Sequence, residues 1–319
     1  FEESLEVFPP FPFPVDRAEI RTVRRGDKQL AKACRHDWEA RKIGRHMSTA
    51  NVARDMDEIR KLVGDQQLNY LGLSYGTYLG ATYANLFPER VGSVVVDGVL
   101  DPVAWVNEEA DVPFSTRLRS DQGAADTLAE FFAQCDAAAP GNCPLAPDSE
   151  ARFDALMASL LEAPRTLVDP DTGEEFVLGY RDVIGGTLGD LYNPFAYPGM
   201  AGILAALEAA PPVGSATFEG ASALLAGFHP REQYPNVAEG FPAVACVDTN
   251  NPRSYRTYER AGLEAEAEFG YYGRLWTWAS SPCARWPFRD RDRYEGPFTT
   301  ATANPVLVIG NLYDLSLIH

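Results

Sequence analysis

Residues 68–80 read Leu-Asn-Tyr-Leu-Gly-Leu-Ser-Tyr-Gly-Thr-Tyr-Leu-Gly, an apolar run that meets Gly72-x-Ser74-x-Gly76 and passes into helix-forming sequence. A serine hydroxyl attacks a carbonyl efficiently only when it stands clear of its own backbone and is served by a positioned base. Glycines two residues to either side permit a sharp strand-to-helix turn that lifts the hydroxyl clear, because a side chain there would collide with backbone packed across the turn. Ser74 is therefore the candidate nucleophile for acyl transfer. The same turn starts a helix, so the backbone N–H of Tyr75 is the candidate donor to a tetrahedral oxyanion, with the positive end of the helix behind it. The acid that would orient the base is expected on the turn after a late strand. Pro305-Val306-Leu307-Val308-Ile309-Gly310 is an apolar run of strand length, and Asp314 follows it. Asp97, after an earlier strand, is the second candidate, its alternative role being to cap the Asp97-Gly98 turn. None of the four histidines suits the base. His36 and His46 flank charged helical sequence, His229 precedes Pro230, and His319 shares a short loop with Asp314 that could hardly reach over Ser74. The catalytic histidine is expected outside this chain.

The elements that must position these groups are legible on both sides of the serine. Ser48-Thr49 can cap a helix from about Ala50 to Val63, with Val52, Met56, Ile59 and Val63 at helical spacing and Gly64 ending it. Thr77 to Phe87 reads as helix, Pro88 stops it, and Ser93 to Asp97 reads as a buried parallel strand. Helix, strand, turn, helix, strand is the order of a wound α/β sheet. The predicted class is α/β: a partial α/β-hydrolase fold with a central, mostly parallel sheet. Between Asp97 and Pro305 lie roughly two hundred residues, far beyond a normal crossover. They are expected to form a large, mainly helical cap, with helices near 124–137, 150–162, 200–209 and 255–268. Arg165–Val168 and Glu175–Leu178 would pair as a hairpin around Asp171-Thr172-Gly173. The expected organisation is core over 1–104, cap over 105–303 and a late core strand with the acid turn over 304–314.

Four further runs carry a family likeness. Thr49 to Asp57, Leu68 to Thr77, Phe87 to Val91 and Asp97 to Pro102 resemble the secreted tripeptidyl aminopeptidases of actinomycetes and their proline-iminopeptidase relatives. Ala245-Cys246-Val247-Asp248, Cys283-Ala284-Arg285-Trp286-Pro287 and Asn304 to Gly310, with Asp314 following, are similar too. The resemblance implies a cofactor-independent serine exopeptidase that releases tripeptides or single residues from peptides with free N-termini, its cap blocking one end of the cleft; an esterase or other small-molecule hydrolase on the same scaffold, and a non-catalytic chain that only binds peptides, are the alternatives. A buried ammonium needs a carboxylate. Asp248 is a candidate for it and Glu239 a weaker one, a capping or solvated role being the alternative for each. Tyr271, Tyr272, Trp276 and Trp278 are candidates for an apolar subsite, or else cap core. The family's glycine-rich loop, which supplies a second oxyanion donor, has no counterpart here, and Phe1–Pro14 holds too much proline for a central strand. The chain is thus expected to begin partway through the catalytic domain. Leu315–His319 is expected to be a non-native tail, because it matches one translated frame of a transposase end used in sequencing-library preparation. Residues 1–319 alone are expected to be inactive.

Charge and cysteines bound the rest. A net charge of −17, with no basic patch expected to offset it, argues against nucleic acid as a partner. No run of eighteen apolar residues occurs, so no membrane-spanning helix is expected. Five cysteines without a Cys-x-x-Cys or Cys/His cluster give no zinc site. Cys135 with Cys143, and Cys246 near a strand-like run with Cys283, could form two disulfides; five free thiols are the alternative. Cys34 is left over. With the family likeness, an exported protein is expected; oligomeric state is not indicated.

Overall fold

The computed structural model describes residues 11–106, 111–168, 173, 175–212 and 237–314. In chain order the helices and strands are α1 (Arg17–His36), α2 (Trp38–Ile43), α3 (Thr49–Leu62), β1 (Leu68–Leu73), α4 (Tyr75–Leu86) and β2 (Val91–Asp97). There follow α5 (Pro102–Val106), α6 (Phe114–Arg117), α7 (Ser120–Ala138), α8 (Ser149–Glu162), β3 (Arg165–Val168), β4 (Glu175–Leu178), α9 (Tyr180–Leu191) and α10 (Tyr197–Ala209). The last are α11 (Val237–Asp248), α12 (Tyr255–Phe269), α13 (Gly273–Ala279) and β5 (Val306–Ile309). Contacts divide the chain into two compact units, one of residues 1–9, 14–123 and 234–319, the other of 10–13 and 124–233.

The first unit holds a parallel sheet in the order β1-β2-β5. Leu71 pairs with Val95, and Val94 with Val306, so β2 lies in the middle. Its Val91, Val94 and Val96 are buried and meet Ala84 of α4 and Tyr70 of β1. Successive strand residues point to opposite faces, and this alternation presses one face of β2 on α4. Among the described residues β1 and β5 flank the sheet, and Leu71, Leu73, Leu307 and Val308 are exposed. In α3, Ser48 is the N-cap and its hydroxyl accepts from Asn51 N–H. Midway along α3, buried Asp57 accepts from Arg60 Nε at 2.9 Å and from Tyr83 Oη at 3.2 Å, and it also pairs with Arg90. One carboxylate thereby joins α3, α4 and the start of β2.

The second unit has its own core. Phe131, Phe132, Phe153, Met157, Ile184 and Leu204 are buried. Phe132 and Phe153 rings lie 5.4 Å apart, and Tyr197 meets Phe131 edge-on at 5.3 Å. β3 and β4 pair antiparallel, Arg165 opposite Leu178, as the hairpin reading predicts. The turn residues Asp171 and Thr172 lie outside the described residues, as do His229 and Leu315–His319. The Cys135–Cys143 disulfide closes the connection after α7, and Cys246–Cys283 ties α11 to the segment after α13 in the first unit. Cys34 is a buried free thiol.

One local expectation fails. The strand-like run near Cys246 is the second half of helix α11. Short apolar runs carry no period of their own. Here burial of Ala243, Ala245, Cys246 and Val247 surrounds the helix, so the sequence shows no polar face to mark it.

Candidate active site

β1 ends at Leu73 and α4 begins at Tyr75, so Ser74 alone makes the turn. Its φ of +54° with ψ of −122° lies where a side chain is strained, at a cost of about 1–3 kcal/mol. The surroundings hold it there. Ser74 N–H donates to Asp97 O at 3.0 Å, and Ser74 O accepts from Thr77 N–H at 2.8 Å and from Thr77 Oγ1 at 2.6 Å. Thr77 Oγ1 in turn accepts from Leu100 N–H at 2.9 Å. Both peptide groups of the serine are thus committed, and its side chain is exposed. The glycine requirement is physical: a methyl group on Gly72 would sit 2.4 Å from Gly76 O. Tyr70 Oη donates to that same carbonyl at 2.7 Å, clamping the strand to the helix.

The geometry brings Asp314 to this turn. Gly98, with φ of +66°, follows β2, and a methyl group there would lie 3.4 Å from Asp314 Oδ2 and 3.8 Å from Ser74 N. Gly98 N–H donates to Ile309 O at 3.2 Å, which fixes the β5 end against the β2 end. Asp314 and the Ser74 backbone therefore face one glycine. Asp97 contributes its backbone carbonyl to the turn. As the first residue of α4, Tyr75 has no intrahelical partner for its N–H, the property an oxyanion donor needs. His36 and His46, the histidines among the described residues, are both exposed.

Asp248 caps a helix distant in sequence. The last residue of α11, it is 1% exposed. Its Oδ1 accepts from Thr49 N–H at 2.9 Å and its Oδ2 from Thr49 Oγ1 at 2.5 Å. Thr49 Oγ1, whose one hydrogen is committed there, also meets Tyr75 Oη. Tyr75 is therefore the donor in that contact, and a chain runs from the Tyr75 phenol through the Thr49 hydroxyl to the Asp248 carboxylate. A carboxylate at the N-terminus of α3 is favoured by the helix dipole. Burial nevertheless pushes its pKa up to about 6, against the lowering effect of the Thr49 bonds. Burial also raises the Tyr75 phenol above its ordinary range. The capping role is the one this geometry displays. A second carboxylate, buried Asp290, accepts from Ser48 Oγ at 2.6 Å beside it.

Thr49 was the missed residue. Its only sequence signal is its place next to a cap residue, and its partner is 199 residues away. Glu239 is half-buried in the first turn of α11, where its charge reaches Cys34. Of the four aromatic candidates, Tyr272 and Trp278 are buried, Trp278 stacked on Tyr255 at 6.4 Å. Tyr271 and Trp276 are half-buried.

A family model described as alpha/beta hydrolase fold matches residues 25–136, which include the Ser74 turn. Over 317 residues, 95% of this chain, the sequence is 29% identical to a tripeptidyl aminopeptidase of Streptomyces lividans and covers 53% of it. The chain is thus similar to α/β-hydrolases, tripeptidyl aminopeptidases among them. It is also 36% identical over 187 residues to the serine protease Hip1 of Mycobacterium tuberculosis, covering 56% of this chain and 33% of that one. Carboxylesterase B of Mycobacterium tuberculosis is 31% identical over 308 residues, 93% of this chain and 55% of its own length. The chain spans about half the length of the tripeptidyl aminopeptidases it matches. The α/β-hydrolase fold and the family likeness expected from the sequence both hold, and the two disulfides form. Among the described residues no helix is long and apolar enough to cross a membrane.

Proposed function

We propose that this chain carries the nucleophile and the acid of a serine exopeptidase acting on peptides with free N-termini. The observation that carries it is the Ser74 turn, a left-handed, exposed serine held at both peptide groups and sharing Gly98 with Asp314. Ser74 Oγ attacks the scissile carbonyl while a histidine from outside the described residues takes its proton, and Asp314 orients that histidine. The Tyr75 N–H receives the oxyanion. The leaving peptide departs with the proton, and water then cleaves the acyl-enzyme. The names of the Streptomyces and Mycobacterium peptidases support the substrate class. Two disulfides fit an oxidising compartment, and export is part of the proposal. So is a cap over 105–303 that encloses the substrate.

A second reading, an esterase on the same scaffold, is favoured by the carboxylesterase B likeness, because fold and turn do not fix the acyl group. The test compares, with the full-length protein, a tripeptide anilide, its N-acetylated form and an aryl ester. The peptidase account expects cleavage of the free-amine anilide and at least tenfold slower cleavage of the acetylated one. Hydrolysis of the ester alone would establish the esterase.

A further inference from the structure

The outer face of α1 carries a charge pattern at odds with the chain as a whole. Val23, Gly26, Asp27, Leu30, Ala31 and Cys34 form its buried stripe. Opposite that stripe Arg21, Arg24, Arg25, Lys28, Lys32 and Arg35 are exposed. None of the six has a carboxylate in ion-pair contact among the described residues. Six like charges on one helix repel one another, in a protein whose net charge is −17.

These side chains line a cleft of about 630 Å³, and a neighbouring groove of about 460 Å³ continues along the same helix past Gln29. Arg285 lines the cleft as a seventh cation and, unlike the other six, it is half-buried. Its guanidinium lies over the Tyr255 ring, 5.5 Å from the centroid. The Tyr255 hydroxyl donates to Asp27 Oδ2 at 2.9 Å beneath α1. The floor cation is thus placed by packed groups, and the rim cations are exposed.

We propose that this cleft is a binding site for a linear phosphate chain without bases. Spacing selects the ligand. From Arg21 to Arg35 is fourteen residues, about 21 Å of helix, or one cation per roughly 4 Å. An extended acidic peptide presents carboxylates to one side only about every 7 Å, and would leave half the cations unmatched. A phosphate chain carries a charge on every short repeat, and guanidinium forks match its oxygens two at a time. Nucleic acid is disfavoured because His36 is the one ring among the lining residues, whereas a bound single strand stacks successive bases on several.

The test titrates inorganic polyphosphate of about fifteen units into the full chain at 50 and 200 mM salt. Binding at the lower salt is expected, and with about five phosphates contacted, affinity should fall about a hundredfold at the higher salt. The charge-reversed R24E/K28E/K32E variant, altered only at exposed helix positions, should keep its melting curve and lose binding by at least a hundredfold. R41E/K42E, on α2, should bind as the unaltered chain does. No binding at 50 mM salt, or binding unchanged by the triple variant, would overturn the proposal. Equal affinity for poly-glutamate or for a single-stranded oligonucleotide of matched charge would also overturn it, and would assign the cleft to that partner instead.

Discussion

Two buried carboxylates hold helix α3, and they do so by opposite means. Asp57, in its third turn, sits among Arg60, Lys61 and Arg90. Burial works against its charge, yet the hydrogen bonds from Arg60 and Lys61 and the nearby guanidinium charges hold its pKa below the ordinary value. Asp248, at the N-terminus, is held by the hydroxyl and the amide of Thr49, and burial lifts its pKa to about 6 against those bonds, the Trp105 side chain and the Arg293 charge. One end is an ionic clamp joining structural elements. The other is a hydroxyl relay whose last member is Tyr75, next to the candidate nucleophile. The difference teaches that the same residue type can fasten a fold or set the aim of a turn, according to what faces it.

The largest effect should come from the clamp. Asp57→Ala leaves two guanidinium groups near an empty buried site, and is expected to cost about 3 kcal/mol or more in stability, read by chemical denaturation. A smaller cost would mean that Arg60 and Arg90 reach water and that the clamp is a surface feature.

Next comes the relay. Asp248→Asn should keep the fold, costing about 1–3 kcal/mol, because a neutral amide still accepts from Thr49 but places a second donor group in the buried site. In the full-length enzyme it should lower kcat with KM little changed, since Tyr75 is adjacent to the attacking group. A rise in KM alone would instead make Asp248 a substrate carboxylate.

The two carboxylates should also answer pH in opposite directions. The depressed Asp57 contributes stability that is present above about pH 4 and lost as pH falls through its folded pKa. Asp248 is raised, so the folded state binds more protons between about pH 4 and 6, and its charge costs stability as pH rises through that window. Stability curves of Asp248→Asn against the unaltered chain should therefore converge from pH 4 toward pH 8. Parallel curves would show that Asp248 is ionised normally.

The smallest effect is Tyr75→Phe, which removes one hydroxyl bond, worth about 1 kcal/mol. Activity should fall by less than in Asp248→Asn, and a double variant should show little further loss.

Much of this was written in the sequence, and the exceptions share a cause. Strand, turn and helix from Leu68 to Leu86 follow from local rules, a glycine-flanked serine between an alternating run and a helical one. The cap at Ser48, the hairpin from Arg165 to Leu178 and helices α8, α10 and α12 are likewise local, and each was expected within a few residues of where it lies. Asp314 was legible because a strand must end before it. Helix α11 was not, because its apolar residues surround the axis and leave no period. The Asp248–Thr49–Tyr75 relay joins residues far apart in sequence, and no local pattern distinguishes a carboxylate that caps a distant helix from one that receives a ligand. The cationic face of α1 was hidden in the opposite way: the net charge of the chain masked a local excess.

The central claim is that Ser74 is the nucleophile, and fluorophosphonate labelling of the full-length protein, followed by peptide mass spectrometry, tests it most directly. The account predicts one adduct, on the peptide containing Ser74, absent in Ser74→Ala, with anilide hydrolysis lost in that variant by about 10⁴-fold or more. An adduct on another residue, or hydrolysis that survives Ser74→Ala, would contradict it.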